Sequence, residues 1–375
     1  MQKNEIFKIL IEEIYPFWNH LYDERGGFFG DVKNDGTIQI NASKGALLQL
    51  RILWFYSRLY QVYPKDEVKT YAKHAYDFVS KYLITNKGTI WEVGSDFKVT
   101  DDTIHIYYQA FTVYALTTYY ESFKDKEALK KALNTFKIME SMRDENGYKE
   151  QLNDENRLAD LGFKADRTMN SILHIIEAYT QLYKVSKDKK VYEALIFNLR
   201  LVVEKIFNKD EGRLEVFFDE KLTSLVDYHS YGHDIEASWL LDLTQAFIKD
   251  KKLKDDLKLV TKQLAKVTLN EGFDGNFLIT EKVLGHQSET YVWWPQAEAV
   301  IGFDRAYEET YQDCFKVARD KILENIFVYF KDKKIKEWYW ELTKDFKPVL
   351  SRPLVSNWKC PYHNGRMLIE LLKEI

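Results

Sequence analysis

The sequence is poor in the residues that interrupt helices or cross-link chains. Its 375 residues include 16 glycines, 6 prolines and 2 cysteines. Because glycine and proline interrupt helices, their scarcity favours a mainly helical protein. Cys314 and Cys360 are too few for a disulfide framework, which excludes the small disulfide-stabilised domains and indicates a reducing compartment, the cytoplasm.

Long apolar runs and an excess of basic residues are absent as well. No run of about 18 apolar residues occurs, so the sequence predicts no membrane-spanning segment. The 54 lysines and arginines stand against 58 aspartates and glutamates, a net charge of −4, which argues against a nucleic-acid partner. The first residues mix charged and apolar side chains at helical spacing, unlike a secretory signal.

Aromatic side chains and helical segments are abundant. The 9 Trp, 25 Tyr and 23 Phe are about twice the usual share, typical either of a sugar-binding surface or of an aromatic core. Segments with helical periodicity come in consecutive pairs joined by short charged turns. The predicted pairs are 43–62 with 66–84, 105–122 with 125–142, 168–186 with 189–207, 233–248 with 252–267, and 289–308 with 310–328. Single helices near 2–20 and 361–374 would form a sixth pair if the chain closed into a ring.

Short segments of alternating polarity separate the helix pairs. Six of them are typical of β-hairpins, and they span 26–40, 88–100, 145–158, 211–226, 272–284 and 331–349. Six hairpins alternating with six helix pairs predict an all-α (α/α)6 barrel of twelve helices with the hairpins on the active-site rim. An open superhelix is the alternative. The even helix count and the absence of a polar capping repeat favour closure, and the lack of a linker favours one domain over 1–375.

Each predicted hairpin is followed by a helix with polar or aromatic residues near its start. They are Arg51, His105, Asn170 with His174, His233 with Glu236, Trp293 with Trp294, and His363. In a closed barrel these positions converge on one cavity, where a ligand site is expected. A single histidine on an apolar helix is more often structural, but four at equivalent places favour a functional group. His229 is ambiguous, and His20, His74 and His286 are interpreted as structural.

The residue types in this set favour acid–base chemistry. The sequence has no HExxH motif, cysteine pair, calcium-type loop, Gly-rich phosphate loop or GxSxG motif, so we expect no metal and no cofactor. A metal site assembled from distant histidines is the alternative. Imidazoles titrate near neutrality, and two of them can exchange the roles of acid and base. Arg51 is either part of a structural salt bridge or a group that stabilises an oxyanion. Glu236 either supports His233, one turn before it, or forms a structural ion pair.

Five segments carry a resemblance to a known family. They are LRILWFYSRLY (50–60), ADRTMNSILHIIEAY (165–179), SYGHDIEASWLL (230–241), WWPQAEAVIGF (293–303) and WKCPYHNGRM (358–367). In order and spacing they resemble the cellobiose 2-epimerases of the N-acylglucosamine 2-epimerase superfamily. The resemblance covers essentially the whole chain and implies an (α/α)6 barrel. It also implies a cofactor-independent enzyme that inverts C2 of the reducing-end glucose of β-1,4-linked disaccharides through a cis-enediolate.

The resemblance further implies roles for individual residues. His233 and His363 would be the acid/base pair, with Glu236 supporting His233. Arg51 and His174 would neutralise the charge that develops on O1 and O2. The implied substrate-binding residues are Asn170, Tyr107, Tyr108, Trp293, Trp294 and Trp358. With a small disaccharide as its partner, the protein is expected to be a monomer or a weak homodimer.

Three other functions stay open from the sequence. A monosaccharide 2-epimerase or an aldose–ketose isomerase, acting on mannose and glucose or on N-acylglucosamine, would pass through the same enediolate. An (α/α)6 glycoside hydrolase would need two carboxylates flanking the bond, for which Asp234, Glu236 and Glu298 are available. A binding protein would have no turnover to lose. The predominance of imidazoles favours the epimerase.

Overall fold

A computed structural model describes residues 1–151 and 165–373. Its backbone packs into two compact units. Unit 1 consists of Met1–Ile138, Tyr329–Leu342 and Phe346–Ile375, and unit 2 of Met139–Val328 and Thr343–Asp345. The single domain over 1–375 stays a prediction. Throughout the described residues, each helix is too short or too polar to cross a lipid bilayer.

The helices lie close to where the periodicity predicts them. They are α1 (Lys3–Ile9), α2 (Tyr15–Asn19), α3 (Ala46–Val62), α4 (Asp66–Phe78), α5 (Ile106–Phe123), α6 (Lys126–Ser141), α7 (Met169–Ser186), α8 (Lys189–Leu201), α9 (Tyr231–Thr244), α10 (Lys251–Val267), α11 (Trp293–Thr310), α12 (Asp313–Asn325) and α13 (His363–Leu372). A π-helical turn, Leu10–Ile14, joins α1 to α2 in one continuous helix. Counted that way, the described residues contain the 12 predicted helices.

The two helices of a pair differ in their polarity because they differ in burial. Helices α3 and α5 are buried on almost every side, whereas α4 and α10 bury one face only, as expected for a buried helix beside an amphipathic one. In unit 1, α3 packs against α4, α5 and α13, and α1 packs against α13. The first and last helices therefore pair with each other, as ring closure predicts. In unit 2, α9 packs against α7, α10 and α11.

Turns of similar sequence connect the helices of two pairs. Lys124 and Lys187 adopt left-handed backbone conformations that end α5 and α7. The next residue, Asp125 or Asp188, accepts hydrogen bonds from the first backbone N–H groups of the following helix. The left-handed residue lets the unpaired carbonyls at the end of one helix form hydrogen bonds, and the aspartate accepts from unpaired N–H groups at the start of the next.

The strands are two or three residues long. They are β1 (Lys44–Gly45), β2 (Glu92–Val93), β3 (Val99–Asp101), β4 (Arg143–Asp144), β5 (Gly147–Tyr148), β6 (Arg167–Thr168), β7 (Phe207–Asn208), β8 (Arg213–Leu214), β9 (Phe217–Phe218), β10 (Tyr228–His229), β11 (Lys282–Val283), β12 (His286–Gln287), β13 (Thr290–Val292) and β14 (Glu341–Thr343). Unit 1 holds the antiparallel sheet β1-β2-β3, and unit 2 holds β4-β5, β6-β9, β7-β8 and β10-β11-β12.

The hairpin predictions are less accurate than the helix predictions. Segments 26–40 and 272–284 contain short antiparallel bridges, Val32 with Ile38 and Phe273 with Leu278. Regular strand pairing in the second segment begins only at β11. Part of the predicted hairpin 145–158 lies outside the described residues. Side-chain amides explain the irregular backbone, because Gln49, the fourth residue of α3, both accepts from the N–H of Phe28 and donates to its carbonyl. The amide occupies the place that a partner strand would have.

The same amide contact recurs at the fourth residue of other helices. Gln109 of α5 pairs with the backbone of Thr89, and Gln296 of α11 pairs with that of Leu278. Each contact satisfies one donor and one acceptor of a buried loop. The loops are thereby attached to the starts of the helices that carry the candidate site residues.

Candidate active site

The predicted site residues fall into two sets, one in each unit. Unit 1 carries Arg51 on α3, Tyr107 and Tyr108 on α5, Trp358 in the loop before α13, and His363 at the first position of α13. Unit 2 carries Asn170 and His174 on α7, His233 and Glu236 on α9, and Trp293 and Trp294 at the start of α11.

Arg51 is a buried cation with uncharged partners. The side chain is 2% exposed; its guanidinium donates to the hydroxyl of Tyr107 at 2.8 Å and to the carbonyl of Trp358 at 3.3 Å. The guanidinium carbon also lies 4.3 Å from the ring centre of Phe111 and 4.7 Å from that of Tyr362. No carboxylate among the described residues pairs with Arg51, so the structural salt bridge considered from the sequence is not formed with them. A buried guanidinium of this kind favours binding of an anion.

Aromatic rings surround the same region of unit 1. Trp91 stacks on Tyr108 with ring centres 4.2 Å apart and an angle of 14°. Trp358 is 45% exposed, and its ring centre lies 6.2 Å from Tyr107 and 6.3 Å from Trp91. The two tyrosines have different surroundings. The hydroxyl of Tyr107 accepts from Arg51, whereas Tyr108 is buried, which raises its pKa. Trp358 is thus the exposed ring of this cluster.

A buried carboxylate holds the loop that leads to His363. Glu337 accepts hydrogen bonds from Lys359 at 3.2 Å and from Asn364 at 2.9 Å, and its other oxygen accepts from Trp18 at 3.0 Å. Burial lowers the pKa of Lys359, and the charge of Glu337 opposes that effect. His363 is 6% exposed. The neighbour of His363, Asn364, is thus hydrogen-bonded to the carboxylate of a fully buried ion pair.

In unit 2, His174 is oriented by a carboxylate on its own helix. Nδ1 of His174 lies 2.9 Å from an oxygen of Glu177, and both side chains are buried. A carboxylate accepts only, so Nδ1 carries the proton and the lone pair of the neutral ring lies on Nε2. Asn170, one turn earlier, shares the helix face, and its amide oxygen has no hydrogen-bond partner among the described residues. Glu177 was not singled out from the sequence, although its spacing of three from His174 indicates contact.

His233 lies between a helix cap and a tryptophan ring. Its Nδ1 is 2.7 Å from the hydroxyl oxygen of Ser230, and its ring centre is 4.7 Å from that of Trp294. A Cβ atom on Gly232 would lie 2.6 Å from the Trp294 ring, so only glycine allows this approach. Burial lowers the pKa of His233 to about 4, while Glu236 raises it and His174 lowers it. The structure therefore brings His174, His233 and Glu236 into one electrostatically coupled group.

Other candidates have structural contacts. His229 contacts Asp234 at 2.9 Å, and the second oxygen of Asp234 accepts from the N–H of Leu214 at 3.1 Å. Asp234 is the fourth residue of α9, so it takes the position that glutamine has in α3, α5 and α11. His105 caps α5 by accepting from the N–H of Tyr107. His229, Asp234 and His105 therefore hold loops and helix starts in place.

The remaining residues of the unit 2 set differ in exposure. Trp293 is buried, whereas Trp294 is only half-buried and contacts His233. Glu236 is 1% exposed. Glu298, four residues after Trp294 on α11, is fully buried and accepts from the indole N–H of Trp239 at 3.1 Å.

The comparison with protein families identifies this chain. A model of the N-acylglucosamine 2-epimerase (GlcNAc 2-epimerase) family matches residues 27–364. The chain belongs to this family. It is 38% identical over 384 residues to the cellobiose 2-epimerase of Dictyoglomus turgidum, covering 100% of this chain and 98% of that one. It is 40% identical over 388 residues to the cellobiose 2-epimerase of Ruminococcus albus, covering 99% and 98%.

A solved structure gives the same result for the fold. The crystal structure of a sugar epimerase from a ruminal bacterium matches with a TM-score of 0.96 and 39% identity, covering 100% of both chains. The family resemblance, the (α/α)6-barrel class and the enzyme class, a carbohydrate epimerase, are thereby confirmed.

Proposed function

We propose that this member of the family is a cellobiose 2-epimerase. It would convert cellobiose to glucosyl-mannose and lactose to epilactose by inverting C2 of the reducing-end glucose, without a metal or another cofactor. The observation that carries the proposal is the identity of 38% and 40% to two cellobiose 2-epimerases over nearly the full length of each chain.

The reaction needs a base at C2 and a partner that returns the proton. Once the sugar ring opens, a base removes the C2 proton and the electron pair moves to O1, giving a cis-enediolate. Rotation about C2–C3 presents the other face, and the second group returns a proton to C2. In this proposal His233 and His363 are the two groups. The low pKa of His233, about 4, supports its part, because the ring is neutral and able to accept a proton at pH 7.

The enediolate also needs groups that neutralise its negative charge. Arg51 and His174 have this role, and the uncharged partners of the Arg51 guanidinium support it. A donor aimed at an oxyanion in a site shielded from water contributes about 3 kcal/mol to the transition state. Glu236 supports His233 by favouring the imidazolium that forms when the proton is taken up.

Binding of the disaccharide is assigned to aromatic and amide side chains. Trp358 and Trp294 stack on the two sugar rings, and Asn170 and Tyr107 position hydroxyl groups, with Tyr108 and Trp293 behind them. We place the protein in the cytoplasm as a monomer or weak homodimer. Sedimentation at micromolar concentration would test the oligomeric state, and a stable higher oligomer would contradict it.

The proposal is tested by proton NMR of cellobiose incubated with the protein in D2O and EDTA. Deuterium at C2 together with a mannose-ended disaccharide is the expected result. Free glucose would instead indicate a hydrolase, and a ketose without an epimer would indicate an aldose–ketose isomerase.

Two further results would contradict the disaccharide assignment. Exchange on glucose, mannose or N-acetylglucosamine but not on cellobiose would make the protein a monosaccharide epimerase. No exchange on any of these sugars would contradict the catalytic role of the histidines.

A further inference from the structure

The start of α9 joins a helix cap to the imidazole of His233. Ser230 is the N-cap residue, and its hydroxyl oxygen accepts from the backbone N–H of His233 at 3.4 Å. The same oxygen lies 2.7 Å from Nδ1 of the His233 ring. Ser230 is 2% exposed, so both contacts are shielded from water. One buried oxygen thus contacts the backbone and the ring of the same histidine.

The hydrogen-bonding capacity of a hydroxyl limits what this contact can be. A serine oxygen has two lone pairs and one proton. If it accepts Nδ1–H, the lone pair of the neutral ring lies on Nε2. If it donates to Nδ1 instead, the ring proton lies on Nε2. Among the described residues Ser230 is the only hydrogen-bond partner of the His233 ring, so this contact decides which nitrogen can accept a proton.

We infer that Ser230 is a positioning residue that accepts Nδ1–H of His233 and keeps Nε2 as the atom that exchanges a proton with the sugar. The inference rests on the proposed function and deepens it. Nδ1–H is present both in the neutral base and in the imidazolium, so the hydrogen bond persists through a cycle in which only Nε2 gains and loses a proton. The backbone N–H holds the Ser230 oxygen in place, and the Trp294 ring packs against the imidazole with ring centres 4.7 Å apart.

The tautomer can be measured directly in the free protein. Long-range 1H–15N spectra of protein labelled with 15N-histidine at pH 7 should show the His233 ring as the Nδ1–H tautomer, with His233→Gln providing the assignment. The titratable groups that act on the pKa of this ring are Glu236 on α9 and His174 on α7. In Ser230→Ala, the signals should move towards the Nε2–H tautomer. A wild-type ring protonated on Nε2 would overturn the inference.

Kinetics separate this role from helix capping. Ser230→Ala should lower kcat for cellobiose about ten-fold with little change in KM, since one neutral hydrogen bond is lost, and Ser230→Thr should restore most of it. Asp188→Ala is the matched control, because Asp188 caps α8 in the same unit and its side-chain hydrogen bonds go to the start of that helix. It should lower the melting temperature and leave kcat unchanged.

Each remaining result has a distinct meaning. Three results would each overturn the inference and leave the epimerase assignment intact. They are a wild-type kcat in Ser230→Ala, an equal loss of kcat in Ser230→Ala and Asp188→Ala, and no recovery of kcat in Ser230→Thr. A wild-type protein that does not exchange the C2 proton of cellobiose would overturn the proposed function, and the inference with it.

Discussion

The guanidinium in unit 1 and the imidazoles in unit 2 have partners of different kinds. Arg51 donates to a carbonyl and a tyrosine hydroxyl and is surrounded by rings, none of which carries a charge. In unit 2, His174 contacts the carboxylate of Glu177, and Glu236 favours the charged form of His233. Within the described residues, unit 1 therefore holds a positive charge without a counter-ion, whereas unit 2 pairs titratable rings with acceptors.

This difference separates two tasks that the proposed reaction requires. An arginine keeps its proton at any ordinary pH, so Arg51 offers a fixed charge for an anion that forms during the reaction. Imidazoles change protonation near neutrality, and acceptors on Nδ1 leave Nε2 for proton exchange. The fixed charge would thus come from Arg51 in unit 1, and His233 in unit 2 would exchange the proton. Substitutions should reveal the same separation.

The largest effect is expected from His233→Gln. Glutamine cannot exchange a proton, so kcat for cellobiose should fall by roughly 10²- to 10⁴-fold, measured as deuterium incorporation at C2. His286→Gln is the matched control, because His286 is exposed on β12, and it should behave as wild type. A His233→Gln protein within about ten-fold of wild type would contradict the assignment of proton transfer to His233.

Arg51→Met should have the next largest effect. It removes the charge but keeps an apolar chain of similar length, and kcat should fall by about 10²- to 10³-fold. Arg51→Lys should lie between Arg51→Met and wild type. Arg58→Met, two turns along α3, loses ion pairs with Glu121 and Glu370 instead and should keep wild-type kcat. If Arg51→Met raised KM alone, Arg51 would bind the ground state rather than the enediolate.

The third prediction compares ion pairs in the two units. Glu337→Gln would leave Lys359 of unit 1 buried without its counter-charge, which should lower the free energy of unfolding by about 3–5 kcal/mol. Adding Lys359→Met should recover part of the loss. The Lys262–Glu309 pair of unit 2 is 42% and 25% exposed, so Lys262→Met should cost less than about 1 kcal/mol. Urea titration measures all four proteins, and equal losses would contradict the comparison.

The two units should also lose stability in different pH ranges. Burial raises the pKa of Asp23, but Arg25 and Lys44 lower it further, to about 2. Its contribution in unit 1 is present above about pH 4 and is lost as the pH falls towards 2. His233 of unit 2 has a pKa of about 4, whereas the unfolded chain takes up this proton below about pH 6.5. The folded state is therefore destabilised between pH 6.5 and 4, by about 3 kcal/mol at most.

Substitutions distinguish these two ranges. His233→Gln should flatten the fall in unfolding free energy between pH 6.5 and 4. Asp23→Asn should lower the unfolding free energy at pH 7 and 5, and it should flatten the fall only below about pH 4. Burial raises the pKa of Glu150 to about 7, so Glu150 stabilises the folded protein as the pH falls, opposite to His233. Because Glu150 is present in every variant, its effect cancels when each variant is compared with wild type. Urea titrations at pH 7, 5 and 3 measure both variants, and an unchanged slope in His233→Gln would contradict the low pKa.

The sequence predictions are most accurate where the structure depends on interactions between residues that are close along the chain. Helix periodicity is local, so the helices were placed within a few residues of their observed ends. The predicted hairpin at 26–40 is short, with Val32 opposite Ile38, because the hydrogen bonds of Phe28 go to Gln49, a side chain on another element.

Ser230 was missed for a local reason. The helix was predicted to start at 233, and it starts at Tyr231, which makes Ser230 its N-cap. A serine three residues before a histidine at a helix start is a readable capping pattern. By contrast, the neutral surroundings of Arg51 could not be read from the sequence, because Tyr107 and Trp358 are far from it along the chain.

The smallest predicted effect concerns the exposed Trp358, compared with the half-buried Trp294. Trp358→Ala removes a stacking face in unit 1 and should raise KM for cellobiose about 5- to 10-fold with little change in kcat. Exchange at C2 of glucose, which lacks the second ring, should be unaffected. Trp294→Ala should lower kcat on both sugars, because Trp294 packs against the His233 ring in unit 2. Equal effects of Trp358→Ala on glucose and cellobiose would place Trp358 at the reacting ring, and binding of the second sugar would then need another residue.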